Sequence, residues 1–199
     1  MARLEQGTRK RHVYKMVDSP VGRLTLVATD QGLAAILWQN DRPARVPLAF
    51  DAQDDAHPVL VEAERQLAEY FAGRRTQFSL TFDIEGTEFQ RKVWNALLTI
   101  PFGETRSYGD IARQIGRPGA VRAVGAANGR NPLSIVAPCH RVIGSTGKLT
   151  GFAGGLGAKA HLLALEAAVQ RPLLPAAYFA AEGCEAADFV CDSTTLRAR

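Results

Sequence analysis

The chain has 199 residues, of which 46% are hydrophobic and 22% are charged. This composition is typical of a folded globular protein and excludes collagen-like and disordered chains. No apolar run approaches the roughly 18–20 residues that a membrane-spanning helix needs, and the first residues lack the apolar stretch of a secretory signal. We therefore expect a cytoplasmic protein of one or two domains that has no membrane partner.

The cysteines bear on both redox compartment and metal binding. The chain has three, Cys139, Cys184 and Cys191, which is too few and an odd number for a disulfide framework. No two of them have the CxxC spacing typical of a zinc site, and we expect no metal. In a reducing compartment the remaining question is whether one of them acts as a nucleophile.

Positive charge is concentrated in one window of the sequence. Between Arg106 and Lys148 there are seven basic residues and a single acidic one, Asp110, whereas the net charge of the whole chain is only +4. A basic region on an otherwise near-neutral protein indicates a polyanionic partner. The same charges also fit a scattered, solvated face, and charge alone leaves both interpretations open.

The first 83 residues are predicted to form a small unit of sheet and helix. Residues 12–17, 22–29 and 33–38 are rich in β-branched and apolar side chains and are separated by turn residues, which predicts a three-stranded meander. Prolines and aspartates indicate a loop over 40–55. Apolar residues at helical spacing predict a helix over 58–71 that ends at Gly73, and weak alternation over 77–82 suggests one more strand. No cluster of reactive side chains occurs here, so we interpret this unit as a scaffold.

Helices are predicted to follow. Thr87 provides an N-cap, with Gln90 as its capping-box partner, for a helix that Pro101 ends. Residues 107–115 and 119–128 are two further helix candidates on either side of a tight turn, which is the helix-turn-helix pattern. Small residues dominate the second of these helices, so it can approach a DNA groove or another helix closely. Arg122 favours the groove, because a long cation among alanines has no local partner.

The segment with the strongest chemical signal is centred on Cys139, which has His140 and Arg141 beside it. Nearby cations and hydrogen-bond donors favour the thiolate, the nucleophilic form of cysteine. Pro138 restricts the backbone, and on an extended chain neighbouring side chains point to opposite sides. We therefore expect a water to relay a proton between Cys139 and His140, with a third group orienting the imidazole. An inert buried cysteine is the alternative.

Longer motifs distinguish these alternatives. They are Phe102-Gly103-Glu104, Ser107-Tyr108, the stretch 122–132, Pro138-Cys139-His140-Arg141-Val142 and the stretch 151–156. In this order they closely resemble the O6-alkylguanine-DNA alkyltransferases, also called methylated-DNA–protein-cysteine methyltransferases. The resemblance is dense over residues 87–168 and looser upstream, at residues 19–22 and 32–33.

The resemblance implies an α+β fold. A small N-terminal sheet-plus-helix domain, residues 1–83, is expected before a mainly helical, winged-helix-like domain with a helix-turn-helix, residues 84–171, and a tail of unknown role, residues 172–199. The resemblance also implies that Cys139 accepts an alkyl group through a network running from Glu166 to His140, a water and Cys139. Asn131 is expected to brace the turn around this site.

The same resemblance implies DNA contacts and a base pocket. Arg122 is expected to fill the space left by an extruded nucleotide, and Tyr108 to help swing that nucleotide out. The expected DNA contacts are Tyr108, Arg122, Gly125, Ala126, Arg130 and Ser145, and the expected base pocket consists of Tyr108, Val142, Phe152 and Ala153. Phe152 stands where many members of the family carry tyrosine, so the aromatic wall is kept and a hydroxyl is lost.

The implied function is direct DNA repair. The alkyl group of O6-alkylguanine, and of O4-alkylthymine, is expected to pass irreversibly from double-stranded DNA to Cys139, once per molecule, with no cofactor and with the protein acting as a monomer. Three other classes are the alternatives. A transcription regulator explains the helix-turn-helix but not the Cys-His pair, a lesion-binding protein lacks the cysteine, and a cysteine hydrolase turns over repeatedly.

Overall fold

The structure, a computed structural model, describes residues 10–170 of the chain. The predicted tail at residues 172–199, with Cys184 and Cys191, lies outside the described residues. Within residues 10–170, no helix has the length and apolar character needed to cross a membrane.

Four strands form the N-terminal sheet, in the order β3-β2-β1-β4. They are β1 (Val13–Val17), β2 (Leu24–Thr29), β3 (Gly32–Trp38) and β4 (Ala52–Gln53). The first three are antiparallel neighbours, as in the predicted meander, with Val13 opposite Ala28 and Leu24 opposite Trp38. β4 pairs in parallel with β1, inside the segment predicted as a loop. A two-residue strand is too short to produce an alternating pattern, which is why the sequence does not indicate it.

Residues 77–82, predicted as a further strand, form none. Only an isolated bridge joins Phe82 to Leu33, at the beginning of β3. Farther along the same strand, the Ile36 N–H donates to the Pro132 carbonyl over 2.8 Å. The outer edge of β3 is thus shared between two distant segments, and this leaves residues 77–82 too few backbone partners to pair along their length.

α1 (Pro58–Phe71) packs on the sheet. A proline at the first helical position suits a site where an N–H has no partner, and Gly73, at a φ of +69°, follows the end of the helix as predicted. The buried side chains of α1 recur every three or four residues and pack with the inward side chains of the sheet. Tyr70, in the last turn, is one of them and is completely buried.

The second half of the described chain is mainly helical. Its elements are α2 (Glu88–Leu98), β5 (Arg106–Ser107), α3 (Tyr108–Gln114), α4 (Val121–Gly129), β6 (Val142–Ile143), which pairs in parallel with β5, and α5 (Gly155–Gln170). Thr87 and Gln90 form the predicted capping box, and Ser107 and Asp110 form a second one at the start of α3. α3 and α4 are the two helices of the predicted helix-turn-helix, and a 3₁₀ turn over Pro118–Ala120 precedes α4.

The two halves share a hydrophobic core. Side chains of the sheet and α1 pack with Leu133, Ala137 and Leu162, which belong to the loop before β6 and to α5. A second cluster joins α2, α3 and α4 and includes Cys139 itself. Burial of this apolar surface holds the sheet and the helices together. Because Ala137 belongs to the first cluster and Cys139 to the second, the reactive segment lies where the two clusters meet.

Candidate active site

Asn131 holds a tight loop that leads into the reactive segment. Its side-chain amide donates to the Ala137 carbonyl over 2.8 Å, and its side-chain oxygen accepts from the Leu133 N–H over 3.0 Å, both in buried surroundings. In the same loop Ile135 has a φ of +74°, a left-handed conformation that costs a β-branched residue about 1–3 kcal/mol. Asn131 therefore bridges the two sides of the turn before the cysteine.

Cys139 begins a 3₁₀ turn that spans Cys139–Arg141. The extended backbone expected at this point is therefore wrong, and the reason is local: the Arg141 N–H donates to the Pro138 carbonyl over 3.0 Å, which closes the turn. Cys139 is only 4% exposed. Burial raises the pKa of its thiol, against the opposing effects of a hydrogen bond with Asn131 and of two nearby cations. The resting cysteine is thus a thiol that needs a base.

The two ring nitrogens of His140 have different surroundings, and the ring is completely buried. Nε2 lies 2.8 Å from Oε1 of Glu166. Because that carboxyl is ionised, Nε2 carries the proton and Nδ1 keeps a lone pair. Nδ1 is buried and has no hydrogen-bond partner among the described residues. Burial lowers the pKa of His140 more than Glu166 raises it, so the resting imidazole is neutral and Nδ1 can accept a proton.

Within the described part of the chain, Glu166 accepts five hydrogen bonds. Its Oε1 accepts from Tyr70 (2.7 Å), His140 (2.8 Å) and Nη2 of Arg141 (2.9 Å). Its Oε2 accepts from Nε of Arg141 (2.8 Å) and from the Gly103 N–H (3.0 Å). Burial by itself raises the pKa of this carboxyl, but the hydrogen bonds and charges of His140 and Arg141 outweigh it and lower the pKa to about 2. Glu166 is therefore an anion that orients the imidazole and can balance its positive charge.

Two further residues contact the site in ways that the sequence analysis does not predict. Arg141, expected to add to a basic surface, is only 6% exposed, and its guanidinium donates to Glu166 and to the Ile100 carbonyl. Tyr70 belongs to the unit interpreted as a scaffold, yet its hydroxyl reaches the site. A count of charges along a sequence does not distinguish buried from exposed arginines, and Tyr70 is 96 residues from Glu166. No local pattern therefore indicates either contact.

Lys159 is a third site residue that the sequence analysis does not predict, and it is completely buried. Its ammonium donates to the carbonyls of Val142, over 2.6 Å, and Thr150, over 2.9 Å. Burial lowers its pKa, while the nearby Cys139 raises it. A sequence signal for Lys159 does exist. It lies three residues before Leu162 on the buried face of α5, and a lysine on such a face needs buried acceptors.

α4 exposes a narrow basic face. Arg122, Ala126 and Arg130 recur every four residues and all three are exposed, so they lie on one side of the helix and its C-terminal cap. Two other cations of the basic window, Arg106 and Arg113, are paired with neighbouring carboxylates. Small residues between two arginines allow this face to approach a DNA backbone closely. Ser145 is also exposed, in the turn after β6.

A cavity of about 670 Å³ lies beside α4. The predicted residues that line it are Tyr108, Gly125, Arg130, Phe152 and Ala153. Val142, also predicted for the base pocket, does not line the cavity and is completely buried. It belongs to the hydrophobic cluster that contains Cys139, and the rings of Tyr108 and Phe152 pack against that cluster. Residues 40–42, 44 and 45, from the segment between β3 and β4, also line the cavity and are not predicted by the sequence. Arg45 joins this loop to the site, because it donates to the Asn131 carbonyl.

The fold and the site together define a class of protein, one that combines a helix-turn-helix with a buried cysteine, a neutral histidine and an ionised glutamate. Within residues 10–170, the histidine, cysteine and acidic side chains form no group of three that could hold a metal ion.

Two family models match the chain. One, described as the DNA binding domain of 6-O-methylguanine DNA methyltransferase, matches residues 88–168, and the other, the ribonuclease-like domain of the same enzyme, matches residues 12–84. The methylated-DNA--protein-cysteine methyltransferase of Mycolicibacterium paratuberculosis is 54% identical over 155 residues, covering 77% of this chain and 91% of its own length. That of Methanosarcina acetivorans is 49% identical over 154 residues, covering 77% of this chain and 97% of its own length.

A solved structure agrees with these relatives. The Mycobacterium tuberculosis protein OGT, crystallised in complex with DNA, has 49% sequence identity and a TM-score of 0.70, covering 79% of this chain and 94% of that one. The chain therefore belongs to the 6-O-methylguanine DNA methyltransferase family. Its activity is direct DNA repair by transfer of an alkyl group from DNA to a cysteine of the protein.

Proposed function

We propose that Cys139 takes the alkyl group from O6-alkylguanine, and by the same chemistry from O4-alkylthymine, after the damaged nucleotide has been flipped out of the duplex. The observation that carries this proposal is a buried thiol followed directly by a neutral imidazole. Nδ1 of that imidazole has no partner among the described residues, and Nε2 is fixed by Glu166. This is the arrangement of a nucleophile with its base and an orienting third group.

DNA binding and nucleotide flipping depend on α4 and the cavity beside it. A buried thiol cannot reach a base inside a stacked duplex, and extruding that base costs a few kcal/mol. In this proposal Arg122, which is exposed in the first turn of α4, fills the gap and so offsets part of this cost. Tyr108 lines the cavity, and its hydroxyl accepts from Thr150 over 3.2 Å. Its own proton therefore remains available for N3 of the guanine.

The transfer itself is a single displacement. The Cys139 proton passes through a water to Nδ1 of His140, and Glu166 balances the imidazolium that forms. The thiolate attacks the alkyl carbon, so that an S–C bond forms as the C–O6 bond breaks, and the electron pair goes to the base. The base takes up a proton from solvent and becomes ordinary guanine, while the imidazolium of His140 returns its proton to solvent, so that no net proton is gained or lost. Hydrogen bonds to the departing base stabilise the charge that develops on it. The thioether has no route back to the thiol, so each molecule acts once and needs no cofactor.

Titration with a duplex that contains O6-methylguanine tests this function. With the lesion in excess, we expect its loss to stop at one equivalent of protein and the protein mass to rise by one methyl group. A cysteine hydrolase continues beyond one equivalent, and a lesion-binding protein or a transcription regulator leaves the lesion in place. Either of these results contradicts the proposal.

The role of Arg122 is tested with two substrates. Arg122→Ala should slow repair of the duplex by about tenfold or more, because extrusion loses its wedge, and should slow the reaction with free O6-benzylguanine very little, because the free base needs no extrusion. Arg74→Ala is the matched control, since it removes the same charge from an exposed position in the other half of the chain. Equal slowing on both substrates removes the proposed role.

The setting of the reaction belongs to the same proposal. The protein acts in the cytoplasm and as a monomer. The support for the monomer is that the nucleophile Cys139, the base His140 and the orienting carboxylate of Glu166 meet within a single copy of the chain, so the reaction needs no second copy.

A further inference from the structure

One of the five donors on Glu166 comes from the N-terminal half of the chain. His140 and Arg141 approach from the 3₁₀ turn, and the Gly103 N–H approaches from the loop after α2. Tyr70, in the last turn of α1, donates to Oε1 over 2.7 Å. The alkyl-transfer chemistry described above gives this hydroxyl no task.

The hydroxyl of Tyr70 has a fixed position. The residue is completely buried, and its ring packs against Phe71, Phe78 and Phe102 at centroid distances of 5.4, 5.5 and 6.2 Å. A ring enclosed in this way has little rotational freedom, so the core determines where the hydroxyl points. Burial and the neighbouring Glu166 raise the pKa of Tyr70. The hydroxyl therefore stays protonated and always donates.

Tyr70 and the Nε2–H of His140 share the same carboxylate oxygen, Oε1 of Glu166. A donor on a carboxylate oxygen draws charge from it and weakens its attraction for a second proton-bearing group. The other charged or titratable groups packed around this pair are Arg141, which binds both carboxylate oxygens, Lys159, whose charge acts on His140, and the Cys139 thiol. Among the side chains of residues 10–170 that donate to Glu166, Tyr70 and the neutral imidazole of His140 are uncharged, and Arg141 is charged.

We propose that Tyr70 is a positioning residue for alkyl transfer: its hydroxyl fixes Oε1 of Glu166 and weakens that carboxylate enough to keep His140 neutral and ready to accept the Cys139 proton. This inference rests on the proposed function. It gives the N-terminal half of the chain a part in the reaction in addition to its support of the fold.

The test removes only the hydroxyl, with Tyr70→Phe. The matched control is Tyr14→Phe, at a tyrosine of β1 whose ring packs against Phe50 at 5.5 Å. The rate constant of methyl transfer from a duplex containing O6-methylguanine is measured under single-turnover conditions, from about pH 4.5 to about pH 9, so that the range includes the acid limb of an imidazole whose pKa is lowered. Each rate constant refers to the fraction of protein that takes up one methyl group, so that inactive molecules do not count.

We expect the acid limb of the pH–rate profile to move upward in Tyr70→Phe by about half a pH unit or more, because an imidazole beside a more strongly charged carboxylate keeps its proton to higher pH. At a pH on the acid limb of the wild-type profile, the rate should then fall by about threefold relative to the rate at about pH 8.5. Tyr14→Phe should keep the wild-type profile. A purely structural role lowers the rate equally at every pH, and that result, or a profile identical to the wild type, overturns the proposal.

A second variant covers the case in which Tyr70→Phe does not fold. Incorporation of 3-fluorotyrosine at position 70 keeps the hydroxyl and makes it a stronger donor, so the acid limb should move to lower pH. An upward shift, or none, overturns the proposal. If the wild-type protein takes up no methyl group, the proposed function fails; if it takes one up and the position-70 variants share its profile, only this inference fails.

Discussion

Replacing Glu166 by glutamine keeps the size of a buried side chain and removes its charge. The native pKa of about 2 lies below the ordinary value of 4.5, and at about 1.4 kcal/mol per pH unit this difference corresponds to about 3 kcal/mol of folding stability. Because the native pKa is depressed, the contribution is fully present above pH 4.5 and is lost as the pH falls towards 2. Glu166→Gln should therefore be about 3 kcal/mol less stable at neutral pH, where Arg141 loses its buried counterion.

Chemical unfolding followed by tryptophan fluorescence, repeated over a series of pH values, measures this difference. The free energy of unfolding of the wild type should fall steeply below pH 4.5, whereas that of Glu166→Gln should fall less, so that the two converge in acid. Glu85→Gln, at a carboxylate that is 69% exposed, is the control and should follow the wild type. A difference that stays constant at every pH, or no difference at neutral pH, refutes the electrostatic reasoning.

Two other buried side chains give further predictions. Lys159→Met should slow alkyl transfer and raise the pKa of Cys139, since a neighbouring positive charge is lost. The pH dependence of iodoacetamide labelling at Cys139, resolved by peptide mapping, measures that pKa. A labelling profile identical to that of the wild type contradicts the prediction. Asn131→Ala should cost about 2–4 kcal/mol of stability, because the Leu133 N–H and the Ala137 carbonyl lose their buried partner. A loss well below about 1 kcal/mol in denaturant titration is incompatible with that bracing role.

Features that depend on neighbouring residues could be predicted from the sequence. The capping box at Thr87 and the end of α1 near Gly73 are set within one helical turn, so residue types at fixed spacing indicate them. The three long strands and the helix-turn-helix follow from local alternation, helical periodicity and turn residues in the same way. These elements agree with the structure because their causes are local.

Contacts between distant segments could not be predicted from local patterns. His140 and Glu166 are 26 residues apart, and only the resemblance to a known family joins them before the structure does. The contact between Tyr70 and Glu166 depends on how α1 packs against α5, and the burial of Arg141 depends on how the 3₁₀ turn at Cys139–Arg141 packs against α5. The loop at residues 40–45 reaches the cavity for a similar reason. Such contacts are set by the tertiary core, which no single window of sequence contains.

The central claim is that the sulfur of Cys139 receives the alkyl carbon, and isotopic labelling tests it most directly. The protein is incubated with a duplex that contains O6-trideuteromethylguanine, digested, and mapped by mass spectrometry. We predict that the trideuteromethyl group is found on Cys139, in an amount equal to the guanine restored, and that Cys139→Ser leaves the lesion in place. Label on a different residue, or loss of the lesion at the wild-type rate in Cys139→Ser, contradicts the account.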